Sequence, residues 1–143
     1  MSFADIYQIS GSAMTAQTVR LNTIASNLAN AESPAQSEAQ VYKARSPVFA
    51  AVYQNSLVQS RHHDVDGASV RIQDVLESGS GVKRYEPHHP LADADGNVWY
   101  PDINVVDQMA DMTSASRDFE TNVEVLNNVK SMQQSVLKLG EGV

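Results

Sequence analysis

Leu21-Asn22-Thr23-Ile24-Ala25-Ser26-Asn27-Leu28-Ala29-Asn30-Ala31-Glu32-Ser33-Pro34 is the stretch from which the fold can be read. Leu21, Ile24, Leu28 and Ala31 recur at steps of three and four, the spacing that keeps one face of a helix against a partner. Pro34 then pushes Ser33 out of the helical region, so the helix must stop here. Traced backward, the same rhythm runs through Gln17, Met14, Ser10, Tyr7 and Phe3. Ser2 and Asp5 are spaced as a capping box at its start. The reading predicts a first helix within 1–31, roughly 45 Å long.

The other end of the chain repeats the pattern. Val105, Met109, Met112, Ser116, Phe119, Val123 and Leu126 form a second stripe, widening through Val129, Met132, Val136 and Leu139. Asn104 is placed as its N-cap, Asp107 follows three residues on, and Gly140 is placed as its stop. This helix, within 102–143, would be roughly 50 Å long. Both helices are long for a compact 143-residue globule, whose radius of gyration would be roughly 15 Å. The expected architecture is therefore α+β, with the two terminal helices paired as an elongated antiparallel coiled coil.

Between them, residues 32–101 hold all four histidines, and their apolar residues come in short or alternating runs. Short strands and turns are expected there, with loops at 33–40 and 60–69. Asp95-Gly96 reads as a turn entering a strand that pairs back toward Tyr85.

Between Ser2 and Ala31 only Asp5 and Arg20 are charged, while Ser, Thr, Asn and Gln fill twelve positions. Solvated helix faces usually carry Glu and Lys pairs. A neutral face of Ser12, Thr15, Thr18, Asn22, Thr23, Ser26 and Asn30 suits burial against other helices instead. Gly11, which costs about 1 kcal/mol against Ala inside a helix, would then mark a close backbone approach. An antiparallel hairpin in an ordinary monomer is the plainer alternative, but so small a chain buries little surface with which to hold two such helices rigid.

Ten basic residues against 17 acidic ones give a net charge of −7, with no basic stripe for nucleic acid. The start lacks a cationic leader segment and no apolar run is long enough for a membrane span, so neither a cleaved signal nor insertion is expected. Cysteine is absent. His62-His63 and His88-His89 lack metal-ligand spacing, and Asp93-Ala94-Asp95-Gly96-Asn97 departs from a calcium loop in the place of its glycine. No nucleophile elbow or phosphate loop occurs, so no catalytic residue, cofactor, metal or small-molecule substrate is expected.

The stretch 21–34 resembles the N-terminal signature of the bacterial flagellar axial proteins, the rod and hook family. Ser114-Ala115-Ser116-Arg117-Asp118-Phe119-Glu120-Thr121-Asn122-Val123-Glu124-Val125-Leu126 resembles the C-terminal signature, with Arg117, Phe119 and Asn122 in register. The segment from Val82 to Val98, followed by Tyr100-Pro101-Asp102-Ile103, is most similar to a proximal rod component of that family. The resemblance implies a structural subunit of the basal-body rod, the shaft that crosses the periplasm and transmits torque. It also implies uncleaved passage through the flagellar type III export apparatus, and partners that are other rod proteins and further copies of the chain. Under it, Leu21, Ile24 and Leu28 are expected against Phe119, Val123 and Leu126, with Met14, Met112, Arg117 and Asn122 in the same interface. Asn27 and Asn30 are candidates for bonds that fix the turn into the middle region. The competing expectation is a secreted binding module or adaptor that grips one partner with its helix pair.

Overall fold

The computed structural model describes residues 3–53 and 68–141, and it is an α+β protein of two long helices and two small antiparallel sheets. Helix α1 spans Phe3–Asn30 and α2 spans Val105–Glu141, roughly 42 and 56 Å at 1.5 Å per residue. Strands β1 (Ala44–Tyr53) and β2 (Ala68–Ser78) form one ribbon, and β3 (Gly81–Tyr85) and β4 (Asn97–Pro101) form the other.

Asn104 caps α2 as its position predicts. Its Oδ1 accepts the backbone N–H of Val106 at 3.0 Å, and its carbonyl accepts that of Gln108, so donors of the first turn are met. Gly140 does not stop the helix, which continues through Glu141; glycines with positive φ among the described residues are Gly79 and Gly96. With no left-handed residue at 140, the terminal turn keeps helical geometry. The Ser2 cap lies outside the described residues.

At the other boundary, α1 tightens before it ends. Ala31 N–H donates to Leu28 O and Ser33 N–H to Asn30 O, after which Pro34 turns the chain extended. Ala35 then bridges Trp99 through two backbone bonds of 2.8 and 3.1 Å. The residue after the helix-ending proline is thereby stitched to the strand that leads into α2. Around this neck lie Ala31, Ala35, Val41, Val98 and Tyr100, all buried, with Val98 fully enclosed. Trp99 lies so close over Gly81 that a Cβ there would sit 2.8 Å from its ring.

The predicted Asp95-Gly96 turn is present: Tyr85 faces Asn97, and Gly96 has φ of 78°. Asp93 Oδ1 accepts the N–H of Asp95 and of Asn97, which sets the turn. The loop expected at 33–40 contains a short 3-10 turn at Glu38–Gln40. Of the loop expected at 60–69, Ala68 and Ser69 belong to β2, and the rest lies outside the described residues. The β1–β2 register shifts between Val48 and Phe49, a bulge that leaves Gln73 as the extra residue. The ribbon lies along α1, where Ser12 Oγ accepts the N–H of Val70 at 3.0 Å and donates to Ile9 O.

Candidate functional site

The helix pair is the site to which the sequence points, and three polar contacts set its register. Asn27 Nδ2 donates to Gln108 Oε1 at 3.1 Å, Arg20 Nη2 to Asp111 Oδ1 at 3.1 Å, and Gln17 Nε2 to Asp118 Oδ2 at 3.3 Å. Numbers fall on α1 as they rise on α2, so the helices are antiparallel.

This order corrects the expected pairing of Leu21, Ile24 and Leu28 with Phe119, Val123 and Leu126. Leu28 instead borders Met109, Met112, Thr113 and Ser116, around an open hollow of about 490 Å³. The end of α1 must lie beside the start of α2, because the Ala35–Trp99 bridge ties those ends together. Phe119 to Leu126 therefore run alongside the N-terminal half of α1.

The buried line of α2 is also rotated from the stripe drawn through its largest apolar residues. Ala115 is fully enclosed and Val129 is buried, while Met109 is 54% exposed. Gln108, Phe119, Asn122 and Leu126 fall on the same line, half-buried. A residue as small as Ala115 marks where two helices approach most closely, a signal that counting large side chains overlooks.

Of the other candidates, Ile24 and Asn27 are buried, Met14, Leu21, Asn30 and Val123 are half-buried, and Met112 and Arg117 are exposed. Asn30 bonds Ser26 O and Asn122 bonds Asp118 O, both within their own helices.

Asn27 is the centre of the arrangement. It is 2% exposed, and all four of its hydrogen-bonding positions are used. Nδ2 donates to Arg45 O and Gln108 Oε1, while Oδ1 accepts Arg45 N–H and the Tyr42 hydroxyl. One amide thus joins α1, α2, β1 and the loop before β1. Because both backbone groups of Arg45 are turned to Asn27, Arg45 and Glu77 oppose each other as a non-hydrogen-bonded pair, closed instead by their side-chain salt bridge. Tyr42, Arg45 and Gln108 are partners that helix periodicity gives no means to identify, while Gln17 lay on the α1 rhythm without any sign of its partner Asp118. Arg20 carried a signal, being the only base in the first helix.

The neutral face divides in two. Ser12 and Thr23 are used inside the chain, Ser12 under the ribbon and Thr23 buried. Gln8, Thr15, Thr18, Asn22, Ala25 and Ala29 remain exposed. The hydroxyls of Thr15 and Thr18 donate to the carbonyls of Gly11 and Met14, so this face is uncharged and largely self-satisfied. A Cβ on Gly11 would meet nothing within 4 Å, so no approach among the described residues requires that glycine.

The middle region offers little chemistry. His89 Nδ1 accepts Leu91 N–H, and the Asp93 carboxylate serves its turn. His62 and His63 lie outside the described residues, among which no three metal-ligating side chains cluster. Nor is any described helix long and apolar enough to cross a membrane. Tyr100 donates to Glu86 Oε2 at 3.1 Å beneath the Arg84 guanidinium. Burial, then the bond to the Glu86 carboxylate, raises its phenol above the ordinary value of 10.0.

Two family models match the chain. Residues 8–34 match the flagella basal body rod protein model, and residues 94–139 match the C-terminal model of the flagellar basal body rod FlgEFG proteins. The chain is 45% identical to the flagellar basal-body rod protein FlgC of Escherichia coli O157:H7 over 142 residues, covering 99% of this chain and all of the relative. It is 43% identical to that of Salmonella typhimurium over the same shares, and 31% identical to that of Borreliella burgdorferi over 94% and 95% of the two chains.

Proposed function

The chain belongs to the FlgC family of flagellar basal-body rod proteins, and from that premise we propose how its helices build the shaft. It is a structural subunit of the rod, placed in the basal body and assembled with other rod proteins. In our reading it belongs to the proximal rod within the periplasm, reaches it through the flagellar type III export apparatus without cleavage, and transmits torque there. It takes no cofactor or substrate, and its partners are rod proteins and further copies of itself. Met14, Leu21, Ile24, Asn27, Leu28, Met112, Phe119, Asn122, Val123 and Leu126 serve the helix pair. Asn30 terminates α1, and Arg117 faces a neighbour.

The observation that carries this reading is the exposed face of α1. On this long helix the outward face through Gln8, Thr15, Thr18, Asn22, Ala25 and Ala29 carries no charge to keep it in water. Side chains so small and neutral suit dense packing against helices of adjoining subunits. Amide hydrogen exchange on the purified chain and on isolated basal bodies tests it. Residues 3–30 and 105–140 should exchange freely or partially alone and become protected in the assembly. Full protection in the isolated chain, with no gain in the basal body, would favour the single-partner adaptor instead.

A further inference from the structure

Two aromatic rings lie on one face of the β3–β4 sheet, each seated on a glycine. Opposite residues in an antiparallel pair share a face, so Gly81, Lys83 and Tyr85 of β3 lie with Pro101, Trp99 and Asn97 of β4. Val98 and Tyr100, on the other face, are buried, so this one looks outward. A Cβ at Gly81 would sit 2.8 Å from the Trp99 ring, and one at Gly96 would sit 3.0 Å from the Tyr85 ring. The rings therefore lean in opposite directions, each lying down on backbone that carries no side chain. Trp99 is half-buried, whereas Tyr85 is 73% exposed, so its seat on Gly96 hides little of it.

Lys83 stands between the two rings along β3, with its Nζ 4.8 Å from the centre of Trp99. At the Gly81 end the surface runs into an open hollow of about 530 Å³, lined by Val41 and Gly81 together with Ser37, Glu38, Lys43 and Ser80. Val41 and Trp99 both close on the Cβ position of Gly81, so ring and hollow adjoin.

The make-up of this surface selects its ligand. An apolar peptide side chain gains most from an enclosed pocket, but these rings lie on an open sheet beside Lys83 and Asn97. An exposed ring among charges and hydroxyls suits a pyranose, whose C–H face stacks on the negative face of the ring while its hydroxyls bond to the groups around it. Ion pairs among the described residues are Arg20–Asp111 and Arg45–Glu77, so Lys43 and Lys83 take part in none. Two such ammonium groups along one track call for negative charge on the ligand. Glu38, the acid in the lining of the hollow, can accept sugar hydroxyls.

We propose that the Tyr85–Lys83–Trp99 face and the hollow beside it bind a carboxylated glycan. Pyranose rings stack on Tyr85 and Trp99, and carboxylates meet Lys83 and Lys43. The association is non-covalent, and it stands apart from the rod reading because it is measured on the purified chain.

Trp99 is the one tryptophan of the sequence, so its emission reports this site directly. The purified full chain is titrated with tetragalacturonate, with the methyl ester of that oligomer, and with hexaglutamate. Tetragalacturonate should change the emission saturably, with an affinity that falls as salt rises. The uncharged ester should bind at least roughly fivefold more weakly. Tyr85→Ala and Lys83→Gln, both at exposed positions, should each weaken tetragalacturonate binding by roughly fivefold or more with the far-ultraviolet circular dichroism unchanged. Tyr85→Phe, which keeps the ring, should bind as the unsubstituted chain does. No saturable change at millimolar tetragalacturonate, equal binding of the ester, or full binding by Tyr85→Ala or Lys83→Gln overturns the proposal. Hexaglutamate binding as tightly as the sugar acid would make this an acidic-peptide surface and overturns it as well.

Discussion

Replacing Asn27 by Leu keeps the number and branching of the side-chain heavy atoms and removes four hydrogen bonds from a site that is 2% exposed. Each such bond contributes about 1 kcal/mol net, and a buried partner left unmet costs about 1–3 kcal/mol. Arg45 N–H and C=O are the groups most exposed to that loss, because the strand pairing does not use them. Tyr42 and Gln108 can turn toward water. The substitution should therefore cost about 3–5 kcal/mol, a large part of the roughly 5–15 kcal/mol that holds a domain together. Urea unfolding of the purified chain, followed by circular dichroism, reads the difference as a lower midpoint at unchanged slope. Asn27→Asp refines the test. It keeps both acceptors but sets a carboxylate against Arg45 O and Gln108 Oε1, so burial and repulsion raise its ionisation above the ordinary carboxyl range. The sign follows: the loss is large at pH 7 and shrinks as pH falls toward about 4, where the neutral acid donates one bond again. A cost below 1 kcal/mol for Asn27→Leu, or a pH-independent cost for Asn27→Asp, would refute the claim that this amide holds the elements together.

Leu28→Asp, which places a charge in the hollow with Met109 and Met112, should abolish motility and incorporation into basal bodies while export remains measurable; normal motility would sink the packing scheme. Gly11→Ala meets no neighbour within 4 Å among the described residues and should stabilise the isolated protein by up to about 1 kcal/mol. If Gly11 serves contact with a neighbour, the same substitution lowers assembly, so improved stability with undiminished assembly would show that the glycine has no such role. Tyr100, with its phenol raised, contributes stability that is complete below pH 10 and is lost as pH rises through its own higher value. Phenolate absorbance lost in Tyr100→Phe should report the late titration of Tyr100, which moves toward the ordinary value in Glu86→Gln.

Periodicity made the two helices legible, because apolar steps of three and four over so many residues have few other solutions. Asn104 and Pro34 were legible too, since capping and the restriction before proline act over one or two residues. Sequence position says nothing, however, about which atoms a buried amide will meet. Asn27 was a candidate for bonds that fix the turn into the middle region, yet Arg45, Tyr42 and Gln108 reach it only through the folded neck. The α2 stripe was misplaced for a related reason: its centre is set by the small Ala115, and side-chain size drew the line through Met109. The long β1–β2 pairing was least visible, because β2 is half-buried only at its start and lacks a sustained alternation.

The Ala35–Trp99 bridge bears on how the subunit carries mechanical load. It lies where the chain leaves one helix and prepares to enter the other, so the β3–β4 sheet is rooted by a strand that is bonded on both sides. A twist applied to the helices reaches that sheet through two short backbone bonds and the tightly packed Trp99 and Val98, and reaches the β1–β2 ribbon through Asn27 and Ser12. Under the proposed torque-bearing role, these ties would place the compliance of a shaft of such units at the seams between subunits.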